Sequence, residues 1–563
     1  MKKMYRYSLP ELSRRLFIIA KPEKKHIIIA TLASIVGNLS HMGVMGFGAA
    51  LILFCAGRLE TGSLFLWGGL TMLCALLIGF MRFYEGVESH AAAYKLLAGM
   101  RVNLYHALRR LAPACLVDRE KGDILSVAIA DIDTIEHFFA HTIGPLFTVI
   151  LLPLTALICA GSVHKLFAAA LFPVYLVISV EIPLLAMQAG RRIGARYRAE
   201  IGSIKSLVLE SVYGLKDIQI FDGGENRLEE IEEKGRDINK AAHAMTIHRQ
   251  LVTALPTFFI NLARILIIFI SANLALTQQS DLNGVIILSL VVSASFSSTQ
   301  SLISVVSSLL ETFAAAERYF EIEDDMPAVN DPPDAKDLGT ISDIAFENLY
   351  FQYKESGQVI LQNIQLRISR GDKIGIVGKS GMGKSTILRL LLRFWDPTDG
   401  KVLLNGRDAR TVRLSELRKR IAMLEQTTFL YNDTIAANIA LGKPDAAREE
   451  IIEAARRAGI HRAIEALPDG YDTQMGEQGS CLSGGEKQRI GIARIMLSDP
   501  DVIVMDEPTS NLDVFHEKLL LKTLEDEYQD KTIIIVSHRR STLTGCNRIY
   551  RLDAGTLKDG TVV

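Results

Sequence analysis

Six cysteines in 563 residues, none in a CxxC or other paired spacing, provide no disulfide framework and no zinc or thiol-redox motif. Cys55, Cys74, Cys115, Cys159, Cys481 and Cys546 fall mostly in or beside apolar helices and read as small buried hydrophobes. An excess of one charge is missing too. With 62 Lys and Arg against 63 Asp and Glu, the net charge of −1 provides no electrostatic footprint for nucleic acid. The opening MKKMYRYSLPELSRRLF is too polar for a secretory apolar core, and the first long apolar run lacks a small-residue cleavage site. That run is therefore expected to stay as a membrane helix.

What the sequence does have is apolar residues in one place. Hydrophobic residues make up 49% and mean hydropathy is +0.22 despite 22% charged residues, so apolar side chains must be segregated. They lie in the first 320 positions. Six stretches, 26–54, 62–85, 137–160, 164–189, 251–276 and 282–310, are each long enough to cross a hydrocarbon core of roughly 30 Å. AGRLETG, GSVHK and TQQSDLN join them pairwise and carry few cations. The two longer links, 86–136 and 190–250, are helical in pattern and basic at their membrane ends, as in GRRIGARYR. By the positive-inside bias those links and both termini are cytoplasmic. Their helices should project well past the bilayer, with breaks at Pro113, Gly214 and Gly223.

After AERYFEIEDD, the Pro- and Asp-rich MPAVNDPPDAKDLGTISD reads as a linker. Beyond it, short β-rich runs (KIGIVG, VIVMDE, TIIIVSH) alternate with amphipathic helices, the pattern of an α/β domain. The boundaries expected are an N-terminal segment 1–25, a membrane domain 26–322, a linker 323–342 and an α/β domain 343–563.

KIGIVGKSGMGKSTILRLLLRF is a strand, a loop of the form GxxxxGK[ST] and a helix. The loop residues Gly378, Lys379, Ser380, Gly381, Met382 and Gly383 present backbone N–H groups to phosphate oxygens, and the helix that follows points its positive end at them. Lys384 is placed to reach the terminal phosphates, Ser385 to coordinate Mg²⁺, and Thr386 follows in the same turn. In VIVMDEP a buried strand delivers Asp506 to the Mg²⁺ shell and Glu507 beside it as candidate base for an attacking water. One puzzle is CLSGGEKQR, residues 481–489, which has the grammar of a second phosphate-binding helix start.

In order and spacing, these motifs, LSGGE, the lone glutamine of MLEQTTFLYNDTIAANI and the histidine of IIIVSHR resemble the ATPase domain of ABC transporters. With the apolar stretches ahead, the whole chain resembles a half transporter of exporter type. The fold implied is an all-α six-helix transmembrane domain of the type IV ABC exporter kind, followed by an α/β P-loop nucleotide-binding domain. The resemblance also implies roles. Tyr353 would stack on adenine, and Gln426 would sense Mg²⁺ and relay to the membrane helices. Ser483, Gly484 and Gly485 would contact the γ-phosphate of a second subunit's ATP, Asp513 would lie in the interface loop, and His538 would contact the γ-phosphate as a switch. Two positions depart from the family pattern: Glu486, where glutamine is commoner, and Asn511, where alanine is commoner.

In the membrane half, Ser289, Ser293, Ser297, Ser301, Ser304 and Ser308 recur at close to helical spacing. They read either as a polar wall of a translocation cavity or as small residues that let helices pack closely. Arg264, mid-helix in FFINLARILIIF, is a candidate contact for an anionic substrate group, the alternative being an ion pair with Glu181. His41 is a further cavity candidate. RFYEGVESHAAAYKLLAGMRV, LAPACL and GDILSVAIADIDTIEHFF resemble the C-type subunit of the bacterial cysteine and glutathione exporter linked to cytochrome bd assembly, which pairs with a related subunit. That resemblance implies a heterodimer in the bacterial inner membrane that uses ATP and Mg²⁺, a small thiol as cargo, contact with membrane lipid and none with nucleic acid. Haem is carried over at His90, although Gly86 stands where the family has arginine; His137 and His141 read as interfacial polar residues or metal or haem ligands. The rival cargoes are a tetrapyrrole or siderophore, or a peptide, lipid or drug. An ATP-gated channel or sensor would share the same body.

Overall fold

The apolar runs fold as long helices because Leu, Ile, Ala and Met dominate them and a helix satisfies its own backbone in an apolar medium, which tolerates Pro153, Pro173 and Pro256 inside them. The computed structural model describes residues 6–560 except 115–118, 120, 277–281, 354–356, 477–481 and 511–513. The chain divides into two compact units, one helical within residues 1–325 and one mainly Met326–Val563.

In the helical unit, α1 (Leu9–Ala20) starts at an N-cap Ser8 whose hydroxyl accepts from Glu11 N, and it leads into α2 (Lys24–Cys55). Then come α3 (Leu64–Leu111), α4 (Ile132–His141), α5 (Ile143–Val163), α6 (Lys165–Leu176), α7 (Ile182–Tyr213), α8 (Gly224–Leu276) and α9 (Leu282–Glu323). Among the described residues, five helical stretches are long and apolar enough to cross a membrane, and Leu282–Ser297 of α9 is a shorter apolar segment. The expected third span breaks at Thr142, and the expected link GSVHK shrinks to His164, which caps α6 by accepting from Leu166 N. Gly214 does end α7, and a short helix, Leu215–Ile220, follows before Gly223.

Two segments are π-helical, Val127–Asp131 before α4 and Val177–Glu181 between α6 and α7. Phe167, Leu171, Tyr175, Ile260, Leu288 and Phe296 are central to the core. There the Tyr175 hydroxyl and Ser295 Oγ share a hydrogen bond of 2.5 Å. Asp131, only 3% exposed, takes both nitrogen arms of Arg318, with Arg318 Nε donating to Oδ2 at 2.6 Å. The start of the unit closes on its end: Arg15 Nη2 donates to Asp324 Oδ1 at 2.6 Å, and the Tyr7 hydroxyl donates to Asp324 Oδ2 at 2.7 Å. Cys55 is exposed rather than buried, because it closes the last turn of α2. Cys74, Cys159 and Cys546 are half-buried and free, whereas Cys115 and Cys481 lie outside the described residues.

The second unit carries two sheets. A four-stranded antiparallel sheet has the order β2-β1-β4-β5, with β1 Asp343–Gln352, β2 Val359–Ser369, β4 Asp399–Leu404 and β5 Arg407–Asp408. The other has the order β10-β9-β3-β8-β7-β6, from β3 Lys373–Val377, β6 Ile421–Leu424, β7 Val502–Asp506, β8 Thr532–Val536, β9 Arg548–Asp553 and β10 Thr556–Asp559. Its β9-β3-β8-β7-β6 core is parallel, and β3, β8, β7 and β6 are almost wholly apolar, as doubly covered strands must be, whereas β9 carries the exposed Arg548, Arg551 and Asp553. Strands β3, β8 and β7 are neighbours, so the residues just beyond their carboxyl ends are brought side by side. In open α/β sheets that edge is where ligands bind.

Candidate functional site

The phosphate loop leaves β3 at Val377 and enters α10 (Lys384–Leu391) through Gly383, whose φ of 96° is left-handed. A Cβ on Gly383 would lie 2.7 Å from Ile360 Cγ2, and one on Gly378 2.7 Å from Leu552 O, so glycine is required at both ends of the loop. Lys384 is 5% exposed, and its Nζ donates to Gly378 O at 2.9 Å and Lys379 O at 3.0 Å. The loop therefore bends around its own ammonium, as a cradle for an anion must. Thr386 Oγ1 lies 3.4 Å from the Tyr353 hydroxyl, and the Tyr353 ring stands edge-on to Phe351 and Trp395. Lys379, Ser380, Gly381 and Met382 complete the turn, in which Met382 N donates to Lys379 O at 3.4 Å.

Strand β7 ends at Asp506, whose carboxyl is pushed up by burial while a hydrogen bond from Ser385 opposes the rise. A half-buried carboxylate that meets the Ser385 hydroxyl is the donor pair a hard divalent cation takes, so the residues present fit Mg²⁺. The next residue, Glu507, has φ of 47°, a left-handed conformation that costs about 1–2 kcal/mol for a residue with a side chain. It is held there by its N–H donating to Val536 O at 2.9 Å. The turn aims the carboxylate so that Oε1 lies 3.1 Å from His538 Nδ1 and Oε2 3.5 Å from Gln426 Nε2. Gln426, Glu507 and His538 come from the ends of β6, β7 and β8, yet share one carboxylate. Arg539 braces the segment by donating to Thr509 O at 3.0 Å. Sequence reasoning named the three residues; their mutual contacts and the bracing arginine it missed.

Ser483 caps α11 (Gly484–Ser498) in a capping box. Both Ser483 N and Ser483 Oγ donate to Glu486 Oε2, at 2.8 and 2.7 Å. The Glu486 departure thus has a local job at the helix start, where an acid is favoured. Ser483 makes no hydrogen bond to the 378–386 loop, and Ser483 and Gly484 are exposed. Asp513 and Asn511 lie outside the described residues.

The membrane candidates do not converge in this way. Arg264 is exposed and donates to Asn261 Oδ1 at 3.2 Å, a partner three residues back on its own helix; it makes no ion pair with Glu181. His41 Nδ1, Ser179 Oγ and Ser297 Oγ are buried with no hydrogen-bond partner among the described residues. Ser293 is half-buried, whereas Ser289 and Ser308 return their hydroxyls to Val285 O and Val305 O of their own helix. The side chains of Ser301 and Ser304 lie outside the described residues. His90 Nδ1 meets Glu136 Oε1 at 3.0 Å, and its ring lies against Tyr94 and His141, with His137 beyond. Gly86 provides no arginine to a haem there, and among the described residues no three His, Cys, Asp or Glu side chains are arranged to hold a metal ion.

The parallel sheet, the glycine loop and the paired carboxylates define a P-loop ATPase, joined in one chain to helices fit to cross a membrane. Comparison with known proteins carries this further: a family model described as ABC transporter matches residues 361–510, and one described as ABC transporter transmembrane region matches 27–299. A probable ABC transporter ATP-binding/permease protein of Haemophilus influenzae is 35% identical, over 94% of this chain and 97% of its own length. An ATP-dependent lipid A-core flippase of Syntrophus aciditrophicus is 30% identical over 86% and 80%. The glutathione/L-cysteine transport system ATP-binding/permease protein CydC of Escherichia coli is 27% identical over 84% and 83%. The structure of a bacterial Atm1-family ABC exporter with ATP bound shares the fold at a TM-score of 0.81, with 23% identity over 95% and 94% of the two chains. The chain belongs to the ABC transporter family, as an exporter with fused transmembrane and ATPase domains that couples ATP hydrolysis to transport. Exporters of this family act as dimers.

Proposed function

We propose that the chain is one half of a heterodimeric exporter of cysteine- or glutathione-type thiols in a bacterial inner membrane, with its termini and ATPase domain cytoplasmic. The observation that carries the cargo is the match, over more than four-fifths of both chains, to the glutathione/L-cysteine protein. The flippase at 30% identity favours a second reading, in which the cargo is a lipid.

At the ATPase site, 378–383 and Lys384 bind the phosphates, and Tyr353 packs against the base. Ser385, Asp506 and Gln426 would hold Mg²⁺, which would neutralise phosphate charge when bound. Glu507 orients and deprotonates the attacking water, and His538, already on Glu507 Oε1, turns toward the phosphate from the same side. Ser483, Gly484 and Gly485, with Asp513, serve the ATP held by the partner. Two phosphate-binding devices in one chain are then halves of two shared sites. Supporting this, the α11 start is exposed and turned to no group of its own phosphate loop. In the membrane half, Arg264, His41, Ser293 and Ser297 contact the cargo, with Arg264 facing its anionic group.

The test is reconstitution in vesicles with the subunit encoded beside it, followed by ATP-dependent accumulation of radiolabelled cysteine and glutathione. Uptake of either thiol with ATPase stimulation is expected. Hydrolysis that responds to lipid but moves neither thiol would sink the thiol assignment and favour the second reading.

A further inference from the structure

We propose that α1 and the turn after it form a docking site for the headgroups of anionic phospholipid in the cytoplasmic leaflet. The site has two parts, an apolar wedge and a set of free cations. Helix α1 packs Leu12, Leu16 and Ala20 inward, at 1%, 0% and 5% exposure. On its other side Ile18 faces out and Phe17 is half exposed while its ring meets Phe138 edge-on, and the apolar surface continues through Ile28, Ile29 and Leu32 of α2. An amphipathic helix with that pattern lies in an interface, its apolar side chains at the level where acyl chains begin.

The cations beside the wedge divide into two groups. Arg6 and Arg15 are engaged, by Asp325 and Asp324. Arg14, Lys21, Lys24 and Lys25 are exposed and make no ion pair among the described residues. The neighbouring carboxylate Glu23 is already shared by Lys95 and His26, and Glu88 is taken by His26, so neither neutralises them. Four unpaired cations within twelve residues, set against outward Phe and Ile, complement an anionic headgroup layer. Each is worth roughly fivefold in partition at such a surface. The frame is held in place, because Tyr7 and Arg15 tie α1 to Asp324 at the far end of α9.

This inference rests on the cytoplasmic placement of the N-terminus proposed above, so the experiment reads the two separately. Full-length protein in mixed phosphatidylcholine–phosphatidylglycerol nanodiscs is released into native mass spectrometry, and the retained lipids are counted. Wild type is expected to retain phosphatidylglycerol preferentially, less so as salt rises. The variant with Arg14→Gln, Lys21→Gln, Lys24→Gln and Lys25→Gln should lose that preference roughly tenfold or more. A control that removes four exposed cations of the ATPase unit, Lys401, Lys518, Lys522 and Lys558, should keep it. An unchanged preference in the first variant, or an equal loss in the control, overturns the site. In cells, a Lys25→Cys variant lacking the native cysteines should resist an impermeant maleimide added outside. Labelling from outside overturns the leaflet assignment even if phosphatidylglycerol is still retained.

Discussion

In the ATPase unit Lys384, Gln426, Glu507 and His538 all find protein partners, whereas in the helical unit His41, Ser179 and Ser297 carry buried polar atoms with none among the described residues. The ATPase unit has orphan atoms as well, on Thr428 and Tyr528 for instance, but none belongs to the groups that meet beyond β3, β7 and β8. Hydrolysis gains from donors and acceptors fixed in advance, because nothing then has to reorganise as charge develops. A translocation path must meet its cargo in more than one arrangement, so polar groups left open inside apolar helices suit it. The difference separates catalytic groups that already meet one another within a unit from polar groups left open along a path.

The comparison breaks most decisively at Glu507. Glu507→Gln keeps the turn and its hydrogen-bonding reach but removes the base, so steady-state phosphate release should fall about 10²–10⁴-fold while ATP binding persists. Wild-type turnover, with the partner's site also disabled, would show that the converged carboxylate is not the base. The next largest effect is expected at Asp131, a buried carboxylate in the helical unit whose partner Arg318 is itself half exposed. Asp131→Asn should weaken the bidentate contact to Arg318 and lower stability by about 2 kcal/mol, read as a reduced midpoint in detergent unfolding. The ATPase unit's own transition should not move.

Arg264→Ala should reduce vesicle uptake of anionic glutathione several-fold more than it reduces basal ATPase. Equal losses would assign Arg264 a structural role and erase the contrast between the open path and the closed site. The smallest effect is a pH effect at the α1–α9 closure. The hydrogen bond from Arg15 holds Asp324 below the ordinary carboxylate range. Its folded value is depressed, so the stabilisation is fully present above the unfolded carboxylate range and is lost as pH falls through the lowered folded value. With both side chains partly exposed, this contributes about 1 kcal/mol or less. Acid titration of the unfolding midpoint should therefore separate wild type from Asp324→Asn near neutrality and bring the two together at low pH.

How much was legible beforehand follows sequence separation. The phosphate loop, its strand and its helix are contiguous, so KIGIVGKSGMGKST could be read as one device, and in the structure a left-handed Gly383 leads into the helix that starts at Lys384. The apolar helices were legible for the same reason, since hydropathy is summed along the chain. What was not legible joins distant positions. Arg318 is 187 residues from Asp131, Arg15 is 309 from Asp324, and His90 reaches Glu136 across 46. The suggested Arg264–Glu181 pair failed because it rested on charge sign alone, without knowledge of which way each helix faces. Glu486 stood out as a departure from pattern, yet only the capping geometry at Ser483 says what it does.

The sequence by itself determined that this chain has helices able to span a membrane and an α/β domain with a glycine-rich nucleotide-binding loop, because both are written in local periodicity and spacing. Only the tertiary structure decided that Gln426 and His538 meet on one carboxylate, that Asp131 is buried against Arg318, and that Arg14, Lys21, Lys24 and Lys25 make no ion pair among the described residues. The physical reason is the same in all three cases. A side chain's charge and shape are fixed by its identity, but its partner and its exposure are set by which strands and helices the fold brings alongside it.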